Sequence, residues 1–206
     1  MKIGILGAGN IGGNLGRRFC EVGHEVKFGV RDPAKVTDLV AACGARASAG
    51  TAADAAAFGD CVVVALPWKA TLDVLASAGD LRGKVLLDAT NALTWDDGPM
   101  PALETSAAEV IAEKTGARVV KAFNTLGAEH ILRPRLGELP CDLFLCTDDD
   151  EARRVASGLA EDIGFTVVDL GPLRYARTLE HIAIAWIDLA MKQGMGRNIA
   201  FKVLRG

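Results

Sequence analysis

The chain has 206 residues, 50% of them hydrophobic and 24% charged, which suits one soluble domain with a sizeable core. Its formal net charge of -3, with acids and bases interspersed, excludes the basic stripe of a nucleic-acid binder and the polybasic tail of a membrane-surface protein, leaving a small molecule as the expected partner. Cys20, Cys43, Cys61, Cys141 and Cys146 form an odd set without a Cys-x-x-Cys pair, which argues against a disulfide framework or a metal site and for buried thiols. With no signal sequence or membrane-spanning run, the expected location is cytoplasmic.

In chain order, strand-like runs fall at about residues 2–6, 25–30, 61–66, 84–88, 117–122, 142–146 and 165–168, with a weaker one near 45–47. Helical patterns lie between them, at about 10–22, 33–43, 68–78, 105–115 and 148–160. The acidic run Asp148-Asp149-Asp150-Glu151 fits the start of the last of these, where negative charge complements the helix dipole. Residues 91–104, with Asp96-Asp97-Gly98-Pro99 and Pro101, break both periodicities and read as a functional loop or lid. After Gly171-Pro172 the pattern predicts one long helix over about 174–193, apolar nearly all round between 182 and 190 and therefore buried, as it would be between two subunits of a homodimer.

This alternation predicts an α/β chain with a doubly wound, mostly parallel sheet. Gly7-Ala8-Gly9-Asn10-Ile11-Gly12 directly follows the first strand and opens the first helix, the context that makes G-x-G-x-x-G a Rossmann-type dinucleotide signature. Gly7 permits the tight turn, Gly9 the approach of a pyrophosphate and Gly12 close helix-strand packing, with Asn10 and Ile11 at the positive helix end. We expect one NADP-binding domain over residues 1–206, with 171–206 as a helical appendage completing a substrate pocket.

An acid closing the second strand would bind the ribose hydroxyls of NAD and repel the extra phosphate of NADP. Arg31 stands there instead, with Lys35 four residues on, so two cations favour NADP. Asp32 fits a helix cap before Pro33. Leu66-Pro67-Trp68 ends another strand at the carboxyl edge of the sheet, where a proline and an indole would wall the nicotinamide end of the groove. On the last helix, His181 shares one face with Arg177, Ala185, Asp188 and Lys192; that face is either solvated or turned to a second substrate. Arg177 and Glu180, three apart, are placed to pair with each other.

The chain resembles the NADPH-dependent reductases of the deazaflavin coenzyme F420, which are related to the NADPH-binding domain of membrane ferric reductases. The resemblance spans essentially the whole chain. It rests on Gly7-Ala8-Gly9-Asn10-Ile11-Gly12, Gly29-Val30-Arg31, Leu66-Pro67-Trp68, Gly171-Pro172-Leu173 with Arg177 and Glu180, and Gly194-Met195-Gly196. It implies hydride exchange between NADP(H) and a deazaflavin or flavin-like ring, with Asn124, Leu126, His181 and Met195 around the second substrate and with Arg177 and Glu180 anchoring the last helix over the sheet.

Departures are specific: Val30 stands where the archaeal reductases carry a serine, Asn124-Thr125-Leu126 where they read His-Thr-Ile, and His181 where they carry a serine. Lys121-Ala122-Phe123-Asn124 is closer to the ferric-reductase relatives. The alternatives are therefore a ferric reductase, a cyclic-imine reductase, or an NADP-binding sensor without turnover. The imine reductases carry a longer helical dimerisation region than this chain offers.

Overall fold

In the computed structural model, which describes residues 1–206, the apolar run after Met1 forms β1 (Lys2–Leu6). The glycine turn follows and opens α1 (Asn10–Glu21), and β2 (Glu25–Gly29) lies parallel to β1 with Ile5 opposite Phe28. A 3-10 turn (Pro33–Val36) runs into α2 (Thr37–Cys43), then come β3 (Ala47–Gly50), α3 (Ala52–Phe58), β4 (Cys61–Val64), α4 (Trp68–Ser77) and β5 (Val85–Asp88). The strand expected near 45–47 is β3. Helix α3 was not expected, although its start is marked by a reciprocal capping box: the Thr51 hydroxyl accepts from the Asp54 N–H, and the Asp54 carboxylate accepts from the Thr51 N–H.

Residues 91–104, expected to be an irregular loop or lid, instead contain a hairpin of β6 (Leu93–Trp95) and β7 (Pro99–Pro101). Asp97 and Gly98, both at positive φ, make its turn, and the Lys192 ammonium bonds the Asp97 carbonyl. The chain continues through α5 (Ala107–Thr115), β8 (Arg118–Lys121), α6 (Ala128–Leu132), a short hairpin of β9 (Arg135–Leu136) and β10 (Leu139–Pro140), β11 (Asp142–Leu145), α7 (Asp150–Asp162) and β12 (Thr166–Asp169). Asp149 caps α7 by accepting from the Ala152 N–H at 2.7 Å, as the acidic run requires.

The predicted final helix is divided. A 3-10 turn (Leu173–Tyr175) precedes α8 (Ala176–Ile187), which ends in one π turn (Asp188–Lys192). Nor is its apolar middle wholly buried: Ala183, Trp186 and Ala190 are, while Ile182, Ile184, Ile187 and Leu189 are half-buried. The buried residues Ala176, Leu179, Glu180, Ala183 and Trp186 follow one helix face, so the isoleucines on the other faces stay partly in solvent.

Six strands form one parallel sheet in the order β3-β2-β1-β4-β5-β8, and the parallel pair β11-β12 joins it through an antiparallel bridge between Lys121 and Cys146. Alternate residues face opposite layers. Ile3 and Ile5 pack with Leu15 and Phe19 of α1 and with α7, while Leu6, Val62 and Val64 pack with Leu75 of α4, Ile111 of α5 and Leu179 of α8. Each fully buried Leu, Ile or Phe in these layers contributes about 1.5–3 kcal/mol. The chain leaves β1 toward β2 on one side and β4 lies on the other, so strand order reverses at β1 and opens a crevice at the carboxyl edge.

Candidate functional site

The crevice is a cleft of about 1300 Å³, lined by Gly7, Ala8 and Gly9, by Val30, Arg31, Asp32, Lys35 and Val36 after β2, by Thr51 and Ala52, by Ala65, Leu66 and Pro67 after β4, and by Lys69, Ala70, Asp73, Val74 and Ser77 on one face of α4. Three glycines shape its floor, each differently. Gly7 sits at φ +99°, and an added Cβ would lie 2.4 Å from the Ala65 carbonyl oxygen. At Gly12 a Cβ would fall 2.1 Å from the Gly7 carbonyl oxygen, so the close helix-strand contact excludes any side chain. Gly9 is the exception: nothing lies within 4 Å of its Cβ position, so the protein itself leaves that space free. An anionic group resting on the amino end of α1 needs that space and the helix N–H groups beneath it. Asn10 is exposed in the first turn of α1, and Ile11 is half-buried against the core.

Arg31 and Lys35 are exposed and enter no salt bridge. Asp32 does not neutralise them by contact; its carboxylate accepts from the Ala34 N–H at 3.1 Å and caps the 3-10 turn. Leu66 and Pro67 wall the cleft. Trp68 does not line it; half-buried, it packs against the apolar layer that includes Val62 and Val64. Sequence reasoning missed Lys69, Asp73 and Ser77; their spacing of four marked one helix face, with nothing to say that it borders a cleft.

At the far end of the same sheet edge, the substrate-side residues are placed differently. β8 runs out through Phe123, a non-glycine residue at φ 61°, held by burial and an edge-on contact with Phe165. That kink delivers Asn124, which is only 5% exposed. Its amide nitrogen donates to Asn91 Oδ1 at 3.0 Å, and Asn91 Nδ2 donates back to the Asn124 carbonyl at 3.1 Å. Asn124 Oδ1 and Thr90 Oγ1 stay buried without partners. Leu126 is buried, whereas Met195, beyond α8, is 60% exposed. His181 is exposed, and its Nδ1 donates to the Arg177 carbonyl one turn back at 2.7 Å.

Between the two ends lies a buried charge cluster that the sequence reading did not assemble. The ammonium of Lys121, 0% exposed, donates to Asp88 Oδ2 at 2.9 Å, to Glu180 Oε1 at 2.8 Å and to the Thr90 carbonyl at 2.5 Å, which uses all three of its protons. Asp88 Oδ1 accepts from the Thr90 N–H, and Glu180 Oε1 also accepts from the Ala107 N–H at 2.9 Å. Glu180 therefore does not pair with Arg177, as their spacing had predicted: it turns into the protein and pins α8 to β8 and to the start of α5. Burial alone would lower the Lys121 pKa, but the two carboxylates hold it above the usual lysine value. Burial pushes Glu180 above the usual carboxylate range against the pull of Lys121.

The cysteines are free thiols, four of them buried. Burial pushes Cys61 and Cys146 up to about 12, which suits packing groups rather than nucleophiles. A smaller cleft of about 540 Å³ between the carboxyl ends of α4 and α5, bordered by Leu75, Arg82 and Lys114, lies away from the glycine turn and holds no unpaired buried polar atom. No helix is long and apolar enough to cross a membrane.

Residues 2–92 match the family described as NADP oxidoreductase, coenzyme F420-dependent. The F420-dependent NADP reductase of Methanothermobacter thermautotrophicus is 34% identical over 221 residues, covering 98% of this chain and 94% of that protein. A crystal structure from Arthrobacter sp. FB24, assigned to the same reductases, is 30% identical and superposes with a TM-score of 0.91 over 100% of both chains. The metalloreductase STEAP3 of Rattus norvegicus is 28% identical over 184 residues, which covers 89% of this chain but 36% of that protein. With its glycine turn, its cationic strand end and this whole-length similarity, the chain belongs to the F420-dependent NADP reductase family of NADP-dependent oxidoreductases.

Proposed function

We propose that this protein exchanges a hydride between NADP(H) and a deazaflavin of the F420 type. One observation carries the reading: the cleft has unfilled space at Gly9 beside unpaired Arg31 and Lys35, in a chain matched from end to end by F420-dependent NADP reductases. The metalloreductase is matched over about a third of its length, which favours the deazaflavin over an iron chelate. The glycine turn and the amino end of α1 hold the pyrophosphate, Arg31 and Lys35 the 2′-phosphate, and Leu66 with Pro67 borders the path toward the nicotinamide.

Hydride exchange of this kind needs two planar rings held at reacting distance and a polar environment for the charge that develops. The nicotinamide supplies the hydride. On the acceptor side, Asn124, locked to Asn91, offers its unpartnered oxygen, Leu126 supplies apolar packing, and His181 and Met195 flank the acceptor from the carboxyl-terminal segment. With its Nδ1–H committed to the Arg177 carbonyl, His181 leaves Nε2 to accept from a ring N–H. It and the Asn124 oxygen thus position the acceptor rather than stabilise its developing negative charge. We propose one domain over 1–206, with 171–206 completing this pocket, and a homodimer that covers the half-buried isoleucines of α8.

The test is NADPH oxidation with F420, FMN, FAD, a ferric chelate and a cyclic imine, each as sole acceptor. Fastest turnover with F420 is the expected result; turnover with the iron chelate or imine alone, or with none, overturns the reading. Asn124→Ala and His181→Ala should each lower turnover about tenfold through loss of ring positioning, while leaving NADPH affinity unchanged. Unchanged turnover in His181→Ala returns that residue to the solvated helix face.

A further inference from the structure

We infer that Lys69 is a third cation of the 2′-phosphate site, reaching it from α4 across the cleft from Arg31 and Lys35. This deepens the NADP assignment and rests on it. The ground is the company Lys69 keeps. It lines the same cleft as Arg31 and Lys35 and shares its helix face with Ala70, Asp73, Val74 and Ser77. It enters no salt bridge, although Asp73 stands one helical turn away with the opposite sign.

A structural role does not account for it. Lysine preceding an acid by four residues is the weaker order for a helical ion pair. A cation in the first turn also opposes the helix dipole, and α4 begins with no acid in that turn and no side-chain cap. A residue chosen for helix stability there would be acidic. The cleft thus gathers three unpaired cations and two carboxylates, and one of those carboxylates, Asp32, is spent on the cap of the 3-10 turn.

An anion is the partner that satisfies this arrangement, and its position distinguishes the phosphates. The pyrophosphate has its own site on the Gly9 floor, served by backbone N–H groups of α1. Arg31, Lys35 and Lys69 instead line the part of the cleft built from the residues after β2 and from the α4 face, where apolar Val36, Ala70 and Val74 provide a surface for a purine. The phosphate attached to that purine's ribose lies among the three cations. Arg31 offers a fork, while the two lysines add mobile point charges from either side.

Lys69→Met keeps the aliphatic stem and removes the charge; calorimetric titration with NADPH, NADH, 2′,5′-ADP and ADP reads the consequence. Expected is an affinity loss of about tenfold for NADPH and 2′,5′-ADP, the loss of one charge-assisted contact, with ADP and NADH within about twofold of the parent. Lys69→Arg should restore most of the NADPH affinity. In the double variant with Arg31→Ala the losses should fall short of the product of the single ones, because both residues serve one phosphate. Equal weakening of ADP and NADH would place Lys69 on the pyrophosphate, and no weakening at all would leave it a solvated lysine; either result overturns the inference. If Arg31→Ala itself fails to separate NADPH from NADH, the NADP reading falls first, and the two failures are told apart.

Discussion

Two groups of charges share the carboxyl edge of one sheet and are treated in opposite ways. Lys121, Asp88 and Glu180 are sealed from water, and every proton of the lysine is spent on a partner. Arg31, Lys35 and Lys69, a few strands away, stand in an open cleft with no salt-bridge partner. Removing charges from water is costly unless they are paired and hydrogen-bonded, so the first group is complete as it stands and serves the fold. Exposed cations are solvated at little cost and stay free to take an anion, which is the role proposed above for the second group. Satisfaction of charge, more than its presence, separates scaffold from site here.

The sharpest way to break that comparison is to remove the centre of the buried group. Lys121→Ala leaves two carboxylates facing each other without a cation and frees the Thr90 carbonyl; the expected loss is about 3–5 kcal/mol of stability, read by urea denaturation. A loss below about 1 kcal/mol would show that water reaches the cluster and that its burial has little energetic meaning. The counterpart in the cleft is Gly9→Val. No neighbouring protein atom lies within 4 Å of the added Cβ, so thermal stability should stay close to the parent while NADPH binding falls a hundredfold or more by calorimetry. Arg31→Ala comes next, with about 2 kcal/mol lost toward NADPH and almost none toward NADH. Equal losses for the two nucleotides would remove the 2′-phosphate assignment.

How much of this was legible in sequence follows the same division. The glycine turn is local: turn, strand and helix are adjacent in the chain, so Gly7, Gly9 and Gly12 declare themselves and the parallel alternation implies the sheet. Arg31 and Lys35 are legible for the same reason, since they sit at a known offset from that turn. Lys121 was not. Its partners are 33 and 59 residues away, and only the register that sets Asp88 opposite Lys121, with α8 folding back above them, brings the three together. Glu180 misled for a related reason. Helical spacing shows that Arg177 is within reach, but not that the burial of α8 turns Glu180 inward. Trp68 and Lys69 are neighbours on α4, and only the first drew a reading: the indole was expected to wall the cleft, yet it sits half-buried against the layer behind, while the lysine lines the cleft. The expected helix start at residue 68 matches α4, but a start alone does not say which face of the helix borders the cleft.

The smallest expected effect tests how the buried group manages its charge. One lysine between two carboxylates carries a net negative charge when all three are ionised, and burial raises the Glu180 pKa in response. A carboxyl whose pKa is higher in the folded protein binds more protons when folded than when unfolded. Stability from this residue is thus fully present below the unfolded value near 4.5 and declines as pH rises through the folded one. Glu180→Gln keeps an oxygen to accept from Lys121 and from the Ala107 N–H, and it removes the titration. Its stability at neutral pH should lie within about 1 kcal/mol of the parent, because the bonds survive and a buried charge is lost. Its stability above pH 4.5 should depend less steeply on pH. Parallel parent and variant curves across that range would mean that Glu180 is ionised in the fold as readily as in the unfolded chain. The triad would then hold its net negative charge openly, and its resemblance to the unpaired cations of the cleft would be closer than their burial implies.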